Sequence, residues 1–351
     1  MTEFWTNGAG LPQAFVRRAR RAEAAGFDGI TIVDSQNLSG DCYIALAMAA
    51  AATTTIKLGT GVTNPFTRHP AVTAGAIATV QAVSEGRAHL GIGRGDSALA
   101  HLGYAPAAPR TLADYLRKLQ SYLAGDAVPF DEAGDLAKLR LANQPTSSRI
   151  GWIRPGRYPK VTVDVTATGP KVIAIGATHG DMVSFAVGAD PTRVRWGIDT
   201  ARTARAAAGL DPDALALSAY VNVVVHDDPG TARRLGEGGL SLFARFSAMH
   251  GTAVGPSTAA EKRTFEDIHA AYDMTVHSRS HTPQAAILTD EFAREFGIFG
   301  RPAYCVERLR ELMALGITRF VVVGPSRDAD RAEIERAEER FATEVMPALR
   351  A

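Results

Sequence analysis

Along the first third of the chain, short apolar runs alternate with longer stretches that repeat at helical spacing. Residues 3–6, 29–33, 56–60 and 88–92 read as strands, and the run Gly29-Ile30-Thr31-Ile32-Val33 suits a parallel strand buried on both faces. Residues 12–25, 41–53, 70–83 and 111–123 read as helices; the first is amphipathic and stops at Gly26, the second is rich in alanine. A strand followed by a helix, repeated roughly every 30 residues, is the signature of parallel βαβ units.

The rest of the chain continues the pattern less regularly. Residues 160–167, 182–185, 217–225 and 319–324 read as strands, and 170–175, 191–208, 229–250, 302–315 and 328–349 as helices. Residues 124–159, rich in glycine, proline and polar side chains, read as loop; residues 251–297, charged and aromatic without strand character, read as a helical insertion. The strands number eight and no apolar-poor linker separates them. The α/β class predicted is therefore a (β/α)8 TIM barrel, a single domain over residues 1–351 with irregular insertions near 124–160 and 251–297, rather than a six-stranded doubly wound sheet.

Composition narrows the function classes. Hydrophobic residues make up 46% and charged residues 21% of the 351 positions, which is globular rather than disordered composition. Lys+Arg at 38 against Asp+Glu at 37 leaves +1, no field to attract nucleic acid or an anionic membrane. Two cysteines, Cys42 and Cys305, make neither a disulfide framework nor a thiolate metal site. The N-terminus lacks a basic stretch before an apolar one, and the most apolar segment, 44–52, is too short to span a bilayer. The expectation is a soluble cytoplasmic protein with a small-molecule substrate.

Candidate chemistry gathers at strand ends. Gly91-Ile92-Gly93-Arg94-Gly95-Asp96 follows the fourth strand; Asp96 stands where a dinucleotide fingerprint needs glycine, so the motif is a tight turn or a close backbone approach to a ligand. Gly59-Thr60-Gly61-Val62-Thr63-Asn64-Pro65 ends the third strand, and its glycines fit a bulge beside a ligand or a plain turn. Asp34-Ser35 follows the second strand, where the carboxylate is a helix cap, a ligand acceptor or an acid/base group. Glu3 lies among apolar neighbours on the first strand, either frayed and exposed or buried for use. Gly169-Pro170-Lys171 and Gly176-Ala177-Thr178-His179 flank the short fifth helix, where amides suit a phosphate or a ring edge, or merely punctuate the helix. His277 and His281 lack the glutamate of a zinc protease, and no metal-ligand cluster, nucleophile elbow or P-loop is present.

The strings GTGVTNPFTRHP and SEGRAHLGIGRGDSALAHLGYAP together resemble the luciferase-like superfamily of flavin and deazaflavin oxidoreductases. The likeness is greatest to the methylenetetrahydromethanopterin reductase branch, which uses coenzyme F420. It is dense from Gly26 to Pro106 and weaker in GPKVIAIGATHGD and GRPAYCVERLRELMALGITRFVV. The resemblance implies a homodimeric barrel holding a planar deazaflavin ring at its C-terminal mouth, with a non-proline cis peptide at Gly61–Val62 behind the ring. It carries functional carboxylates onto Glu3, Asp34 and Asp96. It carries cofactor contacts onto Asp34, Ser35, Thr60, Gly61, Val62, Asn64, Gly93, Arg94, Gly95, Gly176, Ala177 and Thr178.

One departure matters. Many F420 relatives have histidine where this chain has Ser35, and serine is no base near neutral pH. That leaves Glu3 or Asp96 to carry protons, with Glu3 expected to point into the mouth with a raised pKa. The function implied is hydride transfer between F420 and a small organic substrate bearing C=C, C=N or C=O. The competing readings are an FMN-dependent monooxygenase on the same barrel and a barrel that binds a cofactor without catalysis. Arg94, Arg154, Arg157 and Lys160 are the expected partners of the anionic F420 tail.

Overall fold

The computed structural model describes residues 2–131, 136–153 and 156–351. Eight strands close into a parallel barrel: β1 (Glu3–Gly8), β2 (Gly29–Ile32), β3 (Lys57–Thr63), β4 (Ala88–Ile92), β5 (Thr162–Ala167), β6 (Met182–Phe185), β7 (Ala216–Val225) and β8 (Arg319–Val323). Each pairs with the next, and β8 closes the ring between β7 and β1. A short accessory strand, Ile298–Gly300, extends the end of β7.

The outer ring comprises α1 (Pro12–Ala24), α2 (Cys42–Ala52), α3 (Pro70–Val83), α4 (Pro109–Ala124), α5 (Pro170–His179), α6 (Pro191–Ala207), α7 (Pro229–Phe246), α10 (Pro302–Ala314) and α11 (Arg331–Arg340). Most of these helices open on proline, whose fixed φ suits the first turn and whose missing N–H is one that the helix leaves unpaired anyway. The segment read as a helical insertion holds α8 (Ala259–Ala270), α9 (Asp290–Phe296) and two 3-10 turns. The segment read as loop forms a two-residue ladder, Val128–Pro129 on Ser147–Ser148, beside a 3-10 turn at Leu136–Leu139. Among the described residues, no helix is long and apolar enough to cross a membrane.

Strand alternation sorts the side chains. Phe4 packs outward among Phe15, Phe27 and Phe341, under the helices. Trp5 points inward, edge-on to His89 at 5.0 Å and under the Arg319 guanidinium at 4.8 Å. Around these, the barrel holds a buried polar layer. Arg319 donates to the Asp164 carboxylate, to Ser218 Oγ (3.1 Å) and to Ser184 Oγ (3.1 Å), and lies 2.7 Å from His89 Nε2. Ser184 Oγ donates to Asp164 at 2.7 Å. Burial, then Arg319, push the His89 pKa down against the pull of Asp164. This layer fills the barrel near the strand starts, which leaves the C-terminal mouth above it for chemistry.

Two expectations change. The fifth helix runs to His179 instead of stopping near Ile175, because Gly176 is part of it: a Cβ there would come within 2.9 Å of Val165 and Val183. The third strand runs on to Thr63, with a register shift against β4 between Thr60 and Thr63.

Candidate active site at the barrel mouth

The Gly61–Val62 peptide is cis, within the irregular end of β3. Gly61 lies against Thr31, where an added Cβ would meet Oγ1 at 2.4 Å. Val62 lies over Gly91 of β4 and Gly93 just after it: its Cγ1 is 3.2 Å from a Cβ built on Gly91, and its Cγ2 is 3.3 Å from one built on Gly93. A side chain at Gly61 or Gly91 would collide with Thr31 or with the Thr60 carbonyl, so the bulge needs glycine on both sides. Gly95, at φ +76, packs against Asn64 and Leu99, so the turn after β4 also needs glycine.

Around this bulge stand buried polar atoms without a protein partner: Thr31 Oγ1, Asn64 Nδ2, Thr166 Oγ1 and Asn222 Nδ2. The Tyr220 phenol lies beside Thr31 and Thr166, and burial raises its pKa. Phe243 of α7 stacks on Tyr220 at 5.8 Å, while Gly239 of the same helix lies against Asn222 and Val323. The C-terminal half of α7 therefore covers part of the mouth and excludes water from it.

The carboxylates at the mouth are committed. Asp34, 3% exposed, accepts from Thr63 Oγ1 (2.6 Å), Arg68 Nη1 (2.5 Å) and Gln36 Nε2 (2.7 Å). Arg68 also reaches Asp41 at 3.1 Å, and its guanidinium, though burial works the other way, is held above its usual pKa by Asp34. Asp34 thus ties the ends of β2 and β3 together and is held as a charged structural partner of Arg68. Ser35 sits half-buried on the following turn, its carbonyl accepting from the amides of Leu38 and Ser39. Asp96 accepts from Arg245 Nη2 of α7. Asn64 Oδ1 accepts from the amides of Phe66 and Thr67, each at 3.0 Å. Arg94 donates from Nε to the Ala107 carbonyl at 2.5 Å and lies 3.3 Å from His250 Nε2, stapling its own loop. Thr60 faces the sheet, donating to the Gly91 carbonyl at 2.7 Å.

Other expected site residues lie elsewhere. Glu3 begins β1, level with Arg319 at the start of β8, and so lies at the end opposite the mouth. It accepts from Trp5 Nε1 at 2.9 Å and from the Lys57 ammonium. Burial pushes its carboxyl up, but Lys57 and Trp5 outweigh that and leave it below its usual value, the reverse of the raised pKa expected of an acid. Gly176, Ala177 and Thr178 lie in the last turns of α5, outside β5 and β6; Thr178 Oγ1 bonds back to the Ala174 carbonyl at 2.9 Å. That helix runs antiparallel to the strands, so its N-terminal end, Gly169-Pro170-Lys171, is the one beside the mouth. Lys160 is paired with Asp181 at 2.6 Å before β5, and Arg157 stacks over Tyr158 in the same stretch, so neither reaches the mouth. Arg154 lies outside the described residues.

Sequence reading missed the inner row. Asn7 faces inward by alternation with Trp5, in register with Thr31. Thr166 and Asn222 share that row's depth at the ends of β5 and β7. Their signal was available as polar residues at alternate positions near the ends of apolar strands. Arg245 carried none, because its partner Asp96 is 149 positions away.

These features fit a planar, polar-edged ring: a cis-peptide bulge for its face and unspent donors and acceptors for its edge. Comparison with known proteins points the same way. The chain is 30% identical to 5,10-methylenetetrahydromethanopterin reductase of Archaeoglobus fulgidus over 311 residues, 87% of each chain. The F420-dependent tetrahydromethanopterin reductase of Methanopyrus kandleri shares its fold, with a TM-score of 0.74 at 22% identity and 99% coverage of both chains. An F420-dependent secondary alcohol dehydrogenase, solved with an F420–acetone adduct, matches at a TM-score of 0.73 and 18% identity over 100% of this chain and 99% of the other. Residues 4–319 match the family described as luciferase-like monooxygenase, and the chain belongs to it.

Proposed function

We propose that this protein is an F420-dependent oxidoreductase acting on a small organic substrate with a C=C, C=N or C=O bond, or on its reduced counterpart. When bound, the deazaflavin supplies or accepts the hydride. The protein's part is to hold, orient and desolvate. The bulge at Gly61 and Val62 would back the ring, with Gly91 and Gly93 letting Val62 pack close to β4. Thr31, Asn64, Thr166 and Asn222 would meet the polar ring edge with atoms that otherwise stay unpaired. The first turn of α5 at Gly169-Pro170-Lys171 suits the phosphate. The ionic layer of Arg319 and Asp164 beneath, with Phe243 and Tyr220 above it, keeps water from the reacting face.

The observation that carries this reading is the set of four orphaned polar atoms around a glycine-lined bulge. Proton movement falls to neutral hydroxyl and imidazole groups rather than to Glu3 or Asp34. Tyr272, its pKa pushed up to about 12 by burial, bonds at 2.9 Å to His277, which burial and then Arg245 push down to about 4. A homodimer fits the surface as well. Neither α2 nor α3 carries a charged residue, yet they expose Ile44 (57%), Met48, Val72 (56%) and Val83. The test of function is anaerobic turnover: protein loaded with reduced F420 is expected to reoxidise it with an organic acceptor and no oxygen uptake. Turnover that required FMN and oxygen would replace this reading with the monooxygenase one.

A further inference from the structure

Arg245 is 6% exposed and its Nε, buried, has no partner. One Nη donates to Asp96, and the guanidinium lies over the Tyr272 ring at 4.5 Å. The groups around it are mostly basic. Tyr272 joins it to His277. His277 lies within electrostatic reach of Arg245, His101 and Arg327, and His269 within reach of Arg245 and His250. His250 in turn meets Arg94 at 3.3 Å. His101 Nε2 and His269 Nδ1 are also buried without partners. Even with every imidazole neutral, Arg245 carries its charge beside one bonded carboxylate, Asp96. This cluster adjoins the mouth: Asp96 follows Gly93 and Gly95, and Arg245 follows Phe243, the residue stacked on Tyr220.

Burying a guanidinium with unmet N–H groups is costly unless an acceptor arrives to meet them. We propose that Arg245 is the receptor for an anionic group of the substrate, a carboxylate or a phosphate ester, so that this enzyme selects acidic rather than neutral substrates. The inference rests on the oxidoreductase reading above. Asp96 is then the internal anion that shares Arg245 with the substrate, and His101 and His277 flank the incoming charge.

Inorganic phosphate is the probe, titrated by calorimetry into the F420-loaded protein. Saturable binding is expected, weakened about tenfold or more in Arg245→Met and several-fold in His101→Asn. Asp96→Asn, which keeps Arg245 in place, is expected to bind phosphate more tightly, a gain that a merely structural salt bridge would not produce. Thermal melts and F420 binding report separately whether each variant folds and whether the cofactor assignment stands. No saturable phosphate binding by folded, F420-loaded wild type would overturn the proposal. So would phosphate that binds the apo-protein and is displaced by F420 but not by the deazaflavin riboside without phosphate or tail, because the cluster would then serve the cofactor. Weaker phosphate binding in Asp96→Asn would also overturn it.

Discussion

Arg68 donates from Nη1 to Asp34 Oδ2 at 2.5 Å, joining the segment after β3 to the end of β2 directly beside the bulge at Gly61 and Val62. The pair is almost wholly out of water, with side-chain exposures of 15% and 2%. Removing one partner leaves the other charge buried. Arg68→Met is therefore expected to lower stability by about 3–5 kcal/mol. The double variant Arg68→Met/Asp34→Asn should recover part of that loss. Denaturant unfolding of the two variants decides it, and a double variant no more stable than the single one would show that Asp34 does not depend on Arg68.

Glu3, at the closed end of the barrel, is expected to have no part in turnover. Glu3→Gln should leave kcat unchanged and cost about 1 kcal/mol at neutral pH, since Lys57 and Trp5 lose a charged acceptor. Its folded pKa lies below the usual 4.5, so the stabilisation is present above that pH and is lost as pH falls through the lower folded value. Unfolding midpoints at neutral pH and near pH 3 should thus differ less in the variant. A large fall in kcat would return Glu3 to the reaction.

His89 and His277 are both held below the usual 6.5, His277 to about 4. The unfolded chain takes up protons on these residues at pH values where the native protein does not. Stability is therefore complete above pH 6.5 and declines as pH falls from there toward about 4. His277→Asn should flatten that decline, measured as urea midpoints across the range. An unchanged slope would mean that His277 is protonated in the native protein.

Much of this site was legible in the sequence, though not its depth. The glycine motifs after β3 and β4 marked the mouth because close backbone packing there tolerates no Cβ, as at Gly91, where one would meet the Thr60 carbonyl at 2.2 Å. Glu3, expected at the mouth, lies instead at the opposite end of the barrel. Alternation reports which side of a strand a residue faces and not how far along the barrel it sits. Gly176 read as loop punctuation because a glycine chosen for tight helix-on-strand packing looks, in sequence, like one that ends a helix. The pairings of Asp34 with Arg68 and of Asp96 with Arg245 decide which carboxylates are free. They are tertiary contacts that no local spacing encodes.

The uncharged faces of α2 and α3 predict the assembly. Ile44→Glu and Val72→Glu each place a charge in an exposed apolar patch that a partner subunit would cover. Light scattering is expected to show a dimer for wild type and a shift to monomer in the variants, with the fold retained by circular dichroism. A monomeric wild type would remove the dimer from this account.

The central claim is that the mouth is built for a deazaflavin. Its most direct test is an equilibrium titration of apo-protein with F420 and with FMN under identical buffer and salt. Tighter binding of F420 is expected, with the preference lost or much reduced when Thr31→Val removes an unpaired hydroxyl beside Gly61. FMN binding at least as tightly as F420 would contradict the claim.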